Sequence, residues 1–162
     1  MRVSAKADYA IRATAELAAA EGTGQMRADR IAEAQDIPIK FLESILLELK
    51  HAGIVRSQRG SEGGYALARP GSEISLADVI RAVDGPLANV RGDRPENVTY
   101  KGAAGRLTDV WIAVRANLRS VLESTSVADL ANGTLPPEVE ELAANKENWV
   151  SLGRIRGVGA RS

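Results

Sequence analysis

The sequence predicts a mainly α-helical protein that carries one small β-hairpin. Three observations lead there. Apolar residues make up 44% of the 162 positions but aromatics only 4%, with Ala and Leu prominent, a mix that favours helices over strands. Apolar side chains recur at helical spacing in successive segments punctuated by Gly and Pro. Between residues 54 and 68 the pattern changes to two short strand-like runs flanking a glycine-rich turn.

The first helix covers about residues 4–21, is Ala-rich without Gly or Pro, and brings Tyr9, Ala13, Leu17 and Ala20 to one face. Gly22 and Gly24 stop it. A short helix follows over 27–35 with Ile31 inward, and Asp36-Ile37-Pro38 breaks it. Pro38 suits the opening of the next helix, since a first-turn proline forfeits no hydrogen bond. That helix runs to about Ala52 on a buried stripe of Phe41, Leu42, Ile45, Leu46 and Leu49, and Gly53 ends it. Strands are expected at 54–58 and 65–68, with the turn-rich 59–64 between them. Ser75 caps another helix with Asp78 in its first turn and Leu76, Val79, Ile80 and Val83 on one side.

From 85 to 105 the chain turns Gly-, Pro- and Asn-rich and reads as a long loop, which in a compact protein is usually functional. The most regular pattern comes next. Leu107, Val110, Trp111, Val114, Leu118, Val121 and Leu122 form one apolar stripe, with charged residues facing away. Such a stripe on a small domain calls for a partner, so these residues are expected to make a dimer contact. A further short helix is expected over 126–131, and beyond Pro136 the acidic and then Gly- and Arg-rich sequence reads as a mobile tail.

Composition excludes several chemistries. The chain holds no cysteine and a single histidine, His51, so disulfides, thiolate zinc sites and cysteine-ligated clusters are out of reach. No metal and no cofactor are expected. The N-terminus does not read as a secretory signal, and no apolar run approaches the roughly 18 residues needed to cross a bilayer. A cytoplasmic protein with no membrane partner is the expectation. No Ser/His/Asp, Cys/His or paired-carboxylate arrangement is present to suggest an enzyme, and the glycines after Arg59 lack a P-loop lysine. The formal net charge is zero, so any nucleic-acid contact must rest on local clustering.

Helix, tight turn, longer helix and hairpin with a glycine-rich tip is the order of a winged helix–turn–helix. In that arrangement the second helix of the pair enters the major groove of double-stranded DNA, so its outer face must be polar. Lys40, Glu43 and Ser44 are expected on the face opposite Phe41, Leu42 and Ile45. Glu43 can accept from a cytosine amino group, Ser44 can bond either class of base, and Lys40 suits guanine or phosphate. Arg56 and Arg59 flank the hairpin tip, where arginine reaches phosphates or a narrow minor groove. Lys50 and Ser61 complete the candidate DNA-binding set. His51, at a helix end, fits a dipole or phosphate contact better than a metal site.

These segments also resemble a known family. Asp8-Tyr9-Ala10-Ile11-Arg12-Ala13, Ile31-Ala32-Glu33, Ile37-Pro38, Phe41-Leu42-Glu43 and the tract from Gly53 to Arg69 are similar to the Rrf-two family of transcriptional regulators, over about residues 1–133. The resemblance implies a homodimer on a partly palindromic operator, with bases read near Glu43 and the minor groove probed near Arg59. Cluster-binding members carry three cysteines in the loop that precedes the Trp111 helix. Residues 85–105 here hold neither cysteine nor histidine, so iron–sulfur sensing does not carry over. The expected layout is a winged helix–turn–helix domain at 1–84, the loop at 85–105, a dimerisation helix and short helix at 106–133, and a flexible tail at 134–162. A small organic effector or a partner protein that gates DNA binding is the alternative form of control.

Overall fold

The structure, a computed structural model, describes residues 2–151. Helix α1 (Ala5–Ala19) is capped by Ser4, whose hydroxyl accepts from the Ala7 amide at 2.9 Å. It buries Ala7, Ala10, Ala13, Thr14 and Leu17, and the small side chains let neighbouring helices approach closely. Helices α2 (Ala28–Gln35) and α3 (Ile39–His51) follow. Asp36 takes the left-handed conformation between them (φ 50°), and the Ile37 amide bonds back to the Ala32 carbonyl at 2.9 Å. Short polar side chains tolerate that conformation better than most, so the expected break falls where the turn needs it.

Leu42, Ile45, Leu46 and Leu49 of α3 are fully buried. Truncating any one of them to Ala should cost about 2–5 kcal/mol. Phe41, expected in the same stripe, is instead 41% exposed. It lies in the first turn, one position ahead of Leu42 and beyond the edge of the core, and its ring meets Tyr9 edge-on with centroids 5.6 Å apart. The N-terminal motif explains itself here. Arg12 stacks over the Tyr9 ring at 5.2 Å, pairs with Asp8 at 3.0 Å, and donates to the Gln35 backbone carbonyl at the end of α2. Lys6 reaches Glu48 of α3 at 3.0 Å. Side chains of α1 thus lock the angle between the helix pair.

Strands β1 (Val55–Gln58) and β2 (Gly64–Leu67) pair antiparallel, Val55 opposite Leu67 and Gln58 opposite Gly64. Met26 adds a bridge to Tyr65 by reciprocal hydrogen bonds of 2.9 and 2.8 Å. Gly64 is required there: its φ is +147°, and a Cβ would stand 2.7 Å from the Met26 carbonyl oxygen.

Helix α4 (Leu76–Asp84) starts at a reciprocal capping box between Ser75 and Asp78. The 85–105 segment contains two short 3-10 turns, Pro95–Asn97 and Gly102–Ala104. It leads to α5 (Leu107–Leu122), none of whose residues is buried. The next helix, α6 (Val127–Asn132), has the same kind of capping box, Ser126 with Asp129. The sequence reading groups it with α5, yet it returns to pack on α1. Val127 is fully buried, and the Ser75 and Ser126 caps bridge each other through Leu76 N–H to Thr125 O and Val127 N–H to Ile74 O, both 2.9 Å.

Where a mobile tail is expected, helix α7 (Pro137–Ala144) and a 3-10 turn (Lys146–Trp149) form instead. Pro137 at the first turn and Glu138 and Glu140 beside it suit a helix start. The remainder of the tail reading, from residue 152, lies outside the described residues. No described helix is long and apolar enough to cross a membrane.

Candidate nucleic-acid interface

Burying one stripe of α3 turns the opposite stripe outward. Lys40, Glu43, Ser44 and Lys50 are all exposed, as sequence spacing requires. Lys40 and Glu43 lie one turn apart, with Nζ 3.6 Å from the carboxylate. In water such a pair is worth little, so both groups can be recruited by a ligand. Lys50 and His51 occupy the last turn, where positive charge complements the helix dipole. Among the hairpin residues, Arg56, Arg59 and Ser61 are exposed as well.

Helix and hairpin meet in a groove of about 400 Å³ lined by Arg27, Ile39, Glu43, Gln58, Arg59 and Gly64, among others. Thus Glu43 and Arg59 face one concavity, whereas Lys40, Ser44, Lys50, Arg56 and Ser61 lie outside its lining. The arrangement offers a carboxylate acceptor for a base edge beside cations for the flanking phosphates.

Two further residues, absent from the sequence-based set, share these surfaces. Arg27 enters the groove because the Met26–Tyr65 bridge lays the start of α2 against the hairpin. Nothing in the linear order places position 27 beside position 59. Leu47, 53% exposed, sits at the spacing 40, 43, 44, 47 on the outward face. The helical spacing of α3 already places position 47 on that face, outside the expected buried stripe.

The Rrf2 family, described as iron-dependent transcriptional regulators, matches residues 3–133. The chain belongs to that family. It is similar to the HTH-type transcriptional regulator Rv1287 of Mycobacterium tuberculosis, 54% identical across 88% of this chain and 89% of that one. It is 32% identical to the HTH-type transcriptional regulator CymR of Bacillus subtilis over 83% of this chain and 92% of the relative. Among solved structures, CymR, the global cysteine regulator of B. subtilis, superposes with a TM-score of 0.71, covering 83% of this chain and 98% of its own. IscR of T. potens superposes with a TM-score of 0.65 at 28% identity, covering 94% of each chain. The protein is therefore a DNA-binding transcriptional regulator of winged-helix fold, and not an enzyme.

The family description raises iron, and the donor set answers it. The sequence offers no thiolate and one imidazole, His51, which stands at the end of α3 and is not part of the 85–105 segment. Among the described residues no group of three or more His, Cys, Asp or Glu side chains is placed to hold a metal ion. Asp93 and Glu96 are hard oxygen donors, poorly suited to a cluster, and Glu96 is engaged by Arg115. These residues do not fit an iron–sulfur cluster.

The 85–105 segment is instead tied to α5 by ordinary side-chain contacts. Thr108 donates to the Val98 carbonyl at 2.7 Å, Trp111 Nε1 donates to the Tyr100 hydroxyl at 3.0 Å, and Arg115 pairs with Glu96. The Glu96 carboxyl is held below the ordinary glutamate range, first by a backbone hydrogen bond and then by the Arg115 guanidinium.

Proposed function

We propose that the protein acts in the cytoplasm as a homodimer on a partly palindromic operator, and that it does so without an iron–sulfur cluster. The observation that carries the dimer is α5. Its stripe of Leu107, Val110, Trp111, Val114, Leu118, Val121 and Leu122 is only partly covered by the other described residues, and Val110 is 50% exposed. A second α5 from a partner protomer is the simplest cover for it. Two-fold symmetry then presents two α3 helices to successive major grooves, which is why a half-palindrome follows from a dimer.

Within each half-site, Glu43 and Ser44 read base edges, and Lys40, Lys50, Arg56 and Ser61 hold the backbone. Arg59 probes the minor groove from the hairpin. Arg27 joins this set through the shared groove, and Leu47 offers an apolar contact to a thymine methyl group. Control by a small organic effector or a partner protein at the 85–105 segment takes the place of the cluster.

Genome-wide mapping of bound fragments, combined with anaerobic purification from the host, tests this reading. Bound sites with two related half-sites, and a colourless protein without stoichiometric iron or sulfide, are expected. Single half-sites, or iron with charge-transfer absorption, would refute the corresponding part.

A further inference from the structure

A pocket of about 370 Å³ opens where α4, the 85–105 segment and α5 meet. Four guanidinium groups line it: Arg81 from α4, Arg94 from the segment, and Arg115 and Arg119 from α5, with Glu96 as the one carboxylate and Leu87 on the wall. The charge is unbalanced. Arg115, whose side chain is only 18% exposed, has Glu96 as its ion-pair partner. Arg81 and Arg119 share Glu123, with Arg81 also 3.9 Å from Asp78. Among the described residues no carboxylate comes within ion-pair distance of Arg94.

Four guanidinium groups against the three carboxylates of Asp78, Glu96 and Glu123 leave the concavity net positive, with Arg94 as the cation that no described carboxylate meets, and an anion would neutralise that excess. Guanidinium forks bond carboxylates and phosphates bidentately, and the volume lies in the range of small-molecule sites. We propose that this pocket binds a small organic anion carrying at least two carboxylate or phosphate groups. The anion would lie across Arg94, Arg115 and Arg119, displacing Glu96 from Arg115 and bringing the segment and α5 together on one ligand. The assignment rests on the effector-controlled regulator argued above and names the class of effector.

The test uses the full-length protein with citrate, which carries only carboxylates, and phosphoglycolate, which adds a phosphate. Sodium chloride at matched ionic strength and uncharged glycerol serve as controls. A saturable rise in melting temperature with either anion beyond chloride is expected, and which anion acts separates carboxylate from phosphate recognition. Arg94→Ala, an exposed position, should weaken that response roughly tenfold or more, whereas Glu96→Gln should strengthen it by removing the competing carboxylate. The pocket assignment is overturned if neither anion exceeds chloride, if Arg94→Ala responds like the parent, or if Glu96→Gln weakens the response. Retention of genomic DNA fragments by the same preparation tests the regulator reading separately, so an anion failure with DNA binding intact sinks the pocket alone.

Discussion

Helices α3 and α5 carry similar apolar stripes, yet the chain treats them oppositely. In α3 the residues Leu42, Ile45, Leu46 and Leu49 are fully buried by α1, α2, the hairpin and α4. In α5 no residue is buried, although its stripe is longer. The helix that follows sharpens the contrast. Val127 of α6 returns to the core beside α1 and is fully buried, so the chain leaves the core for α5 and then re-enters it. The fold closes over α3 and α6 but leaves the α5 stripe only partly covered among the described residues, which is the surface the proposed dimer would finish.

The largest expected effect attacks that unfinished surface. Val114→Glu together with Leu118→Glu places charge in the middle of the stripe and should yield monomers in sedimentation. Because these side chains are only half-buried and lie outside the core cluster, the monomer should remain folded by circular dichroism. Losing the linked second half-site should weaken operator binding by about a hundredfold or more. A variant that stays dimeric would move the interface away from α5 and remove the contrast.

A second prediction breaks the finished surface. Gly64→Ala drives a methyl group against the Met26 carbonyl and asks alanine to adopt a φ of +147°. A loss of about 1–3 kcal/mol is expected in denaturant unfolding, together with weaker DNA binding, because the hairpin would separate from Arg27. The dimer should persist. Loss of the dimer in this variant would show that the two surfaces are not independent.

A third prediction is chemical rather than architectural. Glu43→Ala should relax base preference by about 1–3 kcal/mol at one position of each half-site, whereas Arg59→Ala and Lys40→Ala should weaken binding to all sequences alike. Site selection with the Glu43 variant giving an unchanged consensus would remove its reading role. Arg27→Ala should behave like Arg59→Ala, and indifference to it would confine the interface to α3 and the hairpin tip.

What the sequence revealed divides along the same line. Periodicity placed α3, its outward face and α4 because each is decided within a few residues by neighbours on the same helix. The Ser75 cap and the hairpin were legible for the same reason. Arg27 was not, since only the long-range Met26–Tyr65 bridge brings it to the groove. Phe41 was misplaced because periodicity identifies a face but not where the underlying core ends. The return of α6 was hidden too: its attachment depends on backbone bonds from Leu76 and Val127 across about fifty positions of sequence, and composition carries no trace of them. The arginine pocket was invisible as a constellation, because its four members come from three separate elements.

The smallest effect concerns the latch between the 85–105 segment and α5. A backbone hydrogen bond and the Arg115 guanidinium both favour the ionised Glu96 side chain, so its folded-state pKa lies below the ordinary value of 4.5. A carboxylate with a lowered folded pKa contributes stability above its unfolded pKa and loses it as pH falls through the folded value. The latch should therefore be intact at neutral pH and weaken only in acid below 4.5. Glu96→Gln cannot ionise and forgoes that contribution at every pH. Its melting temperature should sit slightly below the parent's at neutral pH, and the gap should close as both are acidified. The effect stays small because Glu96 is exposed and water and salt screen the pair. The same gap should narrow at neutral pH when salt is raised, which separates an ion pair from a packing defect. A gap that held constant from neutral to acid pH would mean that Glu96 fastens the segment by shape rather than by charge. Arg115 would then already be available to the anion, and Glu96→Gln would no longer be expected to favour it.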